Sequence, residues 1–349
     1  MNDLRKTFIA FVKLGDFLRE YCDIKPINNK WTNTFTDAIR IAEHHNGWFT
    51  EENILFSLHG WGQLLTEDKL SEWLLPYDLN KNKEKTVAII MAGNIPLVGF
   101  HDFLSVLISG NNVLAKLSSN DKILLPLIVQ FLIDVEPSLK QCITITEEKL
   151  NNFDAVIATG SNNTARYFEH YFGKKPNIIR KNRNSVAILS GTESTEELAA
   201  LGADIFRYYG LGCRSVSKLF VPKGYDFDPL FKSVYEYNPI INKAKYANNY
   251  DYNKAVYLMS EFKILENGFL MLKEDDSYAS PIASVFYEYY ETYDMLIKKI
   301  DQDKEKIQCV VSKDIQSNHI PFGKTQNPEL DDYADGIDTI DFLIKTVTI

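Results

Sequence analysis

Four short stretches of this chain carry residue types that could do chemistry. The first is Tyr208–Val221, YYGLGCRSVSKLFV, with Cys213 at its centre. Gly210 and Gly212 let the backbone turn sharply there, between a helical run and the apolar run Val216–Val221. A thiol on such a loop is a candidate nucleophile, and the neighbouring Arg214 would favour its thiolate. The competing reading is a small buried hydrophobe, the usual fate of a lone cysteine. The second stretch is Ala158-Thr159-Gly160-Ser161-Asn162, where an apolar run ends at a Gly-Ser turn and a helix opens near Asn163. Exposed backbone N–H groups and the helix dipole make such a turn an anion site. The competing reading is an N-cap serine with no ligand. The third is Met91-Ala92-Gly93-Asn94-Ile95-Pro96, where the Asn94 amide at a strand end can donate to an oxyanion. The fourth is Lys116 with Ser118, Ser119 and Asn120, at the end of the run Asn112–Leu117, where an ammonium could meet a ribose or phosphate.

The elements around these stretches follow one grammar. Residues 1–82 read as an N-terminal helical region, with Leu4, Phe8, Phe11, Val12, Leu14 and Leu18 near a 3.6-residue period. The polar connector Leu79–Lys85 follows. Short buried strands are expected at Thr86–Met91, Asn112–Leu117, Cys142–Thr146 and Phe153–Ala158, and helices at Pro96–Ser109, Ile123–Val135 and Asn163–Tyr171. The same style resumes with strands at Ser185–Leu189, Val216–Val221, Phe269–Leu272, Ile282–Tyr287 and Ile307–Val311 and helices between them. Strands alternating with helices predict two α/β domains with mainly parallel sheets. The expected division is 83–183 for a first α/β domain and 184–325 for a second carrying Cys213. Residues 326–349 are left as a tail whose TIDFLIKTVTI could pair as a strand across an oligomer or return to the first domain.

Composition removes several classes. With 38 Lys+Arg against 47 Asp+Glu, the net charge of −9 disfavours nucleic acid and anionic membranes as partners. No CxxC or HExxH spacing supports a metal site. Cys22, Cys142 and Cys309 read as packing, and four scattered cysteines fit a reducing compartment. The opening MNDLRKTFIAFVKLGDF lacks the continuous apolar run of a secretory signal, and Asn94 and Pro96 break the longest uncharged stretch, so a cytoplasmic protein without a membrane span is expected. His44-His45 reads as an ordinary helix pair, since adjacent helical residues do not face one ligand. The tyrosines at 287, 289, 290 and 293 read as sheet and core packing.

Taken in order, Asn94, Lys116-Leu117-Ser118, Thr159-Gly160-Ser161 and Gly212-Cys213 resemble the aldehyde dehydrogenase superfamily. Within it, ATGSNNTARYF, RKNRNSVAIL, YYGLGCRSVSKLFVP and IPFGKTQNPELDDYADGID resemble the acyl-CoA reductase (LuxC-type) family. That resemblance implies an aldehyde dehydrogenase-like fold with its active site in a cleft between two domains, of which 83–183 is the NAD(P)-binding one. It implies Cys213 as nucleophile and Asn94 as oxyanion donor. Lys116, Ser118, Thr159, Gly160 and Ser161 become the cofactor-binding residues, acyl-CoA the substrate, and a homodimer the expected assembly. Hydrolytic members carry a water-activating Glu where this chain has Arg180. A guanidinium stays protonated and cannot act as a base, so reduction or thiol exchange is implied instead of hydrolysis. NAD-preferring members place a Glu where this chain has Ser119, which points to NADPH, with NADH the alternative. Two other readings are reduction of an acyl phosphate and a non-catalytic nucleotide-binding subunit.

Overall fold

The computed structural model describes residues 2–23, 30–313 and 319–346. The chain divides into two compact units. One holds the residues up to Lys181 together with those from Glu329 onward, and the other holds Asn182–Pro328.

The first unit opens with helices α1 (Asn2–Asp23), α2 (Lys30–His45), α3 (Glu51–Leu64) and α4 (Glu67–Leu74). It continues as β1 (Thr86–Ile90), α5 (Phe100–Ile108), β2 (Asn112–Lys116), α6 (Leu124–Val135), β3 (Ile143–Thr146), β4 (Ala155–Thr159), α7 (Asn162–Phe172) and β5 (Asn177–Arg180). The five strands are all parallel, in the order β3-β2-β1-β4-β5. A parallel sheet is covered on both faces, so its central strands β1 and β4 carry continuous apolar runs, while β2, β3 and β5 mix apolar with polar residues. Val87 and Ile89 of β1 face one layer and Ala88 the other. The first layer is a single core of Phe11, Phe35, Ile54 and Leu70 from α1–α4 joined to Phe103 of α5 and Leu132 of α6. The N-terminal helices are therefore part of the sheet's own unit and not a separate body, because their apolar stripes have no other surface to bury against.

The second unit runs β6 (Asn184–Ile188), α8 (Thr195–Phe206), β7 (Val216–Pro222), α9 (Asp228–Ser233), α10 (Ala244–Met259), β8 (Ile264–Glu266), β9 (Met271–Glu274), β10 (Ser284–Tyr290), α11 (Tyr293–Gln302), β11 (Ile307–Val311) and β12 (His319–Ile320). Its sheet order is β12-β11-β6-β7-β10-β9-β8, parallel except for the β8–β9 pair. Val186, Phe220 and Val310 pack on Leu296 and Ile300 of α11. Leu219, Val221 and Val285 pack on Leu201 and Ile205 of α8. Lys218 is fully buried within β7. Its ammonium is satisfied by the carbonyls of Asp275 and Asp276 at 3.2 and 2.8 Å and by Glu288 at 2.5 Å. Tyr287 packs on Phe227, Tyr290 donates to the Leu189 carbonyl and Tyr293 packs in the α11 layer, as expected of sheet and core packing, while Tyr289 is exposed.

Two sequence expectations change. The helix expected at Pro96–Ser109 begins only at Phe100, because Leu97 takes a left-handed φ of 57° that ends any helical turn upstream. The tail is a helix, α12 (Thr339–Lys345), and not a strand. Its Ile340 and Leu343 join the core of the first unit, and Asp338 caps it by accepting from the Asp341 N–H at 2.8 Å. Residues 347–349 of that segment lie outside the described residues. Strands β5, β8 and β12 are short, and their composition does not announce them.

Candidate active site

The carboxyl edge of the five-stranded sheet gathers three of the four stretches. β1 and β2 pair in register as far as Ile90 and Lys116, and the Met91 N–H donates to the Lys116 carbonyl at 3.1 Å. On the other side β4 pairs with β5 as far as Thr159 and Arg180, and the Gly160 N–H reaches the Arg180 carbonyl at 3.3 Å. The chain order reverses between β1 and β4, which is the crevice position where open α/β sheets take ligands.

The Asn94 and Lys116 loops are fastened to each other. Asp121, buried below the second loop, accepts from the Leu97 N–H at 3.4 Å and from the Leu124 N–H at 3.2 Å. Burial pushes its carboxyl up and these N–H groups hold it back. Ser57 Oγ donates to the Pro96 carbonyl at 3.1 Å. Asn94 itself is exposed, and Lys116 and Ser118 are half-buried. Gly93 permits this close approach. A methyl group there would lie 2.5 Å from Ser118 Oγ and 2.7 Å from its Cβ. We expect Gly93→Ala to part the loops, costing about 1–3 kcal/mol of stability. Ser118→Gly in the same chain should restore the stability. Thermal denaturation checks the pair, and a Gly93→Ala variant as stable as the parent would refute the close-packing account.

At the third stretch Ser161 is the N-cap of α7. Its Oγ accepts from the Thr164 N–H at 3.2 Å and lies 2.9 Å from the Thr164 hydroxyl. The side chain thus serves the helix, while Thr159 and Gly160 line the turn above it.

Cys213 lies in the other unit. It follows a 3₁₀ turn, Arg207–Gly210, in which Tyr208, Tyr209 and Gly210 take φ values of 55°, 58° and 74°. Successive left-handed residues of this size are strained and persist only where their surroundings impose them. Both tyrosines are buried. The turn delivers Cys213 to an exposed position ahead of β7. Its carbonyl accepts from Ser185 Oγ at 2.9 Å, and the Ser215 N–H closes onto the Gly212 carbonyl at 3.0 Å. Arg214 donates through Nε to the Thr325 carbonyl at 2.7 Å. The loop carrying Thr325 is in turn held by Asp204 of α8. That carboxylate accepts from the Gly323 N–H at 2.7 Å, the Thr325 N–H at 3.0 Å and the Thr325 hydroxyl at 2.8 Å. Burial pushes the Asp204 carboxyl up, and these donors oppose it. Gln326 Nε2 adds a 3.3 Å bond to Ser215 Oγ. The only trace of Asp204 in the sequence is a carboxylate between Leu201 and Ile205 on an apolar helix face.

The other cysteines differ in kind. Cys309 is buried, and Cys22 and Cys142 are half-buried with Sγ against the carbonyls of Leu55 and Ser138 at 3.9 Å. Burial pushes the Cys22 thiol up to about 11. Among the described residues no group of three His, Cys, Asp or Glu is placed to hold a metal ion, and no helix is long and apolar enough to cross a membrane.

Residues 71–230 match the family model of acyl-CoA reductase (LuxC). This segment belongs to the LuxC family. The LuxC segment contains Asn94, Lys116, Ser118, Thr159–Ser161, Asp204 and Cys213, while the loop at 323–326 lies beyond it. The chain is similar to a long-chain acyl-protein thioester reductase of Aliivibrio fischeri, 28% identical over 229 residues, 59% of this chain and 47% of the relative. It therefore spans about half the length of that curated relative. Similar solved structures include an indole-3-acetaldehyde dehydrogenase in complex with NAD+, with a TM-score of 0.63 at 11% identity over 89% of this chain and 72% of that one. An aldehyde dehydrogenase from Bacillus cereus gives 0.62 at 14% over 96% and 83%. One from Mycobacterium tuberculosis complexed with NAD+ gives 0.61 at 12% over 89% and 77%. The LuxC segment thus sits in an aldehyde dehydrogenase-like fold, as the motif order implies.

Proposed function

We propose that this chain reduces an acyl-CoA thioester to an aldehyde through a covalent acyl-enzyme on Cys213. The observation that carries this reading is the exposed thiol, presented by a strained turn within a LuxC segment. The thioester named for the Aliivibrio fischeri relative supports the same chemistry, and favours it over an acyl phosphate.

In this reading Cys213 Sγ attacks the thioester carbonyl carbon, a new C–S bond forms, and the bond to coenzyme A breaks with release of its thiolate. The Cys213 backbone N–H is the donor for the oxyanion, the role that the family resemblance also implies for the Asn94 amide. The carboxyl edge of the five-stranded sheet fits a nicotinamide nucleotide, because it joins a crevice at the order reversal to a helix N-terminus and a lysine. Lys116, Ser118, Thr159, Gly160 and the Ser161-capped turn would hold it. Reduced nicotinamide, when bound, supplies the hydride that the acyl carbon needs. Cys213 then carries a thiohemiacetal, whose C–S bond breaks to release the aldehyde and restore the thiolate. Residues 116–120 offer no carboxylate to repel a 2′-phosphate, which supports NADPH over NADH. Arg180 supports reduction over hydrolysis. It is 6% exposed, ion-paired to Asp102 and 3.3 Å from Thr339 Oγ1, so it offers no base to a water molecule.

Single-turnover mass spectrometry tests the reading. With acyl-CoA alone, the intact chain should gain one acyl group, mapped to Cys213, and release one coenzyme A. NADPH should then discharge it as aldehyde. Turnover without any adduct, or an adduct formed from an acyl phosphate and not from acyl-CoA, would overturn it.

A further inference from the structure

One contact at the sheet's carboxyl edge has no part in the reaction as described. His45, the last residue of α2, places Nε2 2.8 Å from the Ser119 carbonyl. The next residue, Asn46, donates from Nδ2 to the Asn120 carbonyl at 3.3 Å. The corner after α2 therefore rests on the turn that follows β2, from a position 74 residues upstream. In doubly wound sheets the end of this second strand is where the ribose next to the adenine is read, by an acid for a 2′-hydroxyl or by a cation for a 2′-phosphate.

The groups around that turn lean one way. Lys116 ends β2 and is half-buried, and Ser119, Asn120 and His45 are exposed. Asp121 is the one carboxylate in 116–122, and both its oxygens are turned inward onto the Leu97 and Leu124 N–H groups. Lys122 is paired with Glu147 at 2.7 Å. Because Nε2 donates to the Ser119 carbonyl, the second ring nitrogen, Nδ1, is the one left to meet a ligand, and a protonated imidazole there is a charge-assisted donor to phosphate oxygen.

We infer that His45, with Lys116, reads the 2′-phosphate of NADPH and sets the nucleotide preference of this chain. The inference rests on the nicotinamide reading above and assigns a specificity role to the N-terminal helical region.

Calorimetric titration of the full chain with 2′,5′-ADP and with 5′-AMP isolates the phosphate, and fluorescence titration with NADPH and NADH repeats the comparison on whole nucleotides. The wild-type chain should bind 2′,5′-ADP about tenfold or more tighter than 5′-AMP. His45→Ala should bring that ratio close to one by weakening 2′,5′-ADP alone. His45→Asn, which keeps a donor for the Ser119 carbonyl, should lose the ratio equally. Asn46→Ala, which removes the neighbouring strap and leaves the imidazole, should keep it. Parallel weakening of both ligands in His45→Ala with recovery in His45→Asn would make His45 a structural strap and overturn the inference. So would a wild-type chain that binds 5′-AMP as tightly as 2′,5′-ADP, or that binds neither. A 2′-phosphate preference with no acylation of Cys213 would overturn the proposed reaction and leave this inference standing.

Discussion

Cys213→Ala should abolish aldehyde formation from acyl-CoA, lowering turnover by at least about 10⁴-fold, while leaving the fold and nucleotide affinity in place. The size follows from the role assigned to the sulfur. Without it no acyl-enzyme forms, and the hydride has no activated carbonyl held in position to accept it. The selectivity follows from where the residue sits. Cys213 is exposed, and its fastening contact to Ser185 uses the backbone carbonyl, which alanine keeps. A surface substitution of this kind changes stability by no more than about 0.5 kcal/mol. Cys213→Ser should be nearly as inactive, because a hydroxyl is far harder to ionise than a thiol. Stopped-flow absorbance of NADPH oxidation and chemical trapping of aldehyde measure the loss. Iodoacetamide should label Cys213 ahead of Cys22, Cys142 and Cys309, with inactivation tracking that label. Turnover retained by the alanine variant would eliminate the covalent mechanism.

Asp102→Ala should destabilise the first unit by about 3–5 kcal/mol, the cost of leaving a buried guanidinium without its counter-charge. Asp102 of α5 and Arg180 of β5 form an ion pair with side chains only 5% and 7% exposed, and Arg180 also reaches Thr339 of α12. Three elements far apart in the chain meet there. The Arg180 carbonyl also takes the Gly160 N–H, so the pair stands directly behind the candidate anion turn. Removing both charges together is a different experiment. Asp102→Leu with Arg180→Met exchanges a costly desolvated pair for apolar packing, and should recover most of the loss or exceed the parent. Urea unfolding of the single and double variants checks this, with the midpoint moving and the slope unchanged. A single variant as stable as the parent would mean that the guanidinium finds water, and that the pair contributes little. If the double variant retains activity, Arg180 acts only as a strut. Any hydrolase activity gained by it would instead make Arg180 the group that suppresses water attack.

The division of labour between sequence and structure follows the range of the forces involved. Most of the strand and helix order in both units, β5, β8, β12 and α12 excepted, was legible from the sequence, because apolar runs and 3.6-residue stripes are local properties of a few consecutive residues. Cys213, Asn94, Lys116 and the Thr159–Ser161 turn were legible too, because their glycines and their order along the chain mark sharp turns at strand ends. The N-cap role of Ser161 was also written locally, three residues from its partner. Where those side chains are held was not legible. Leu97 adopts a left-handed backbone that its own side chain disfavours, and its N–H partner Asp121 lies 24 residues away. Arg180 meets Asp102 across 78 residues, His45 meets Ser119 across 74, and Asp204 secures the loop at Gly323 across 119. The tail illustrates the same limit, since TIDFLIKTVTI carries β-branched residues that suit a strand. Burial of Ile340 and Leu343 against the first unit and the Asp338 cap decided for a helix. By itself the sequence determined a parallel α/β chain with one distinctive cysteine and an acidic composition. Only the tertiary structure decided which buried carboxylates clamp the candidate loops. A desolvated charge takes whichever donors the packed fold brings to it, and no local pattern records that choice.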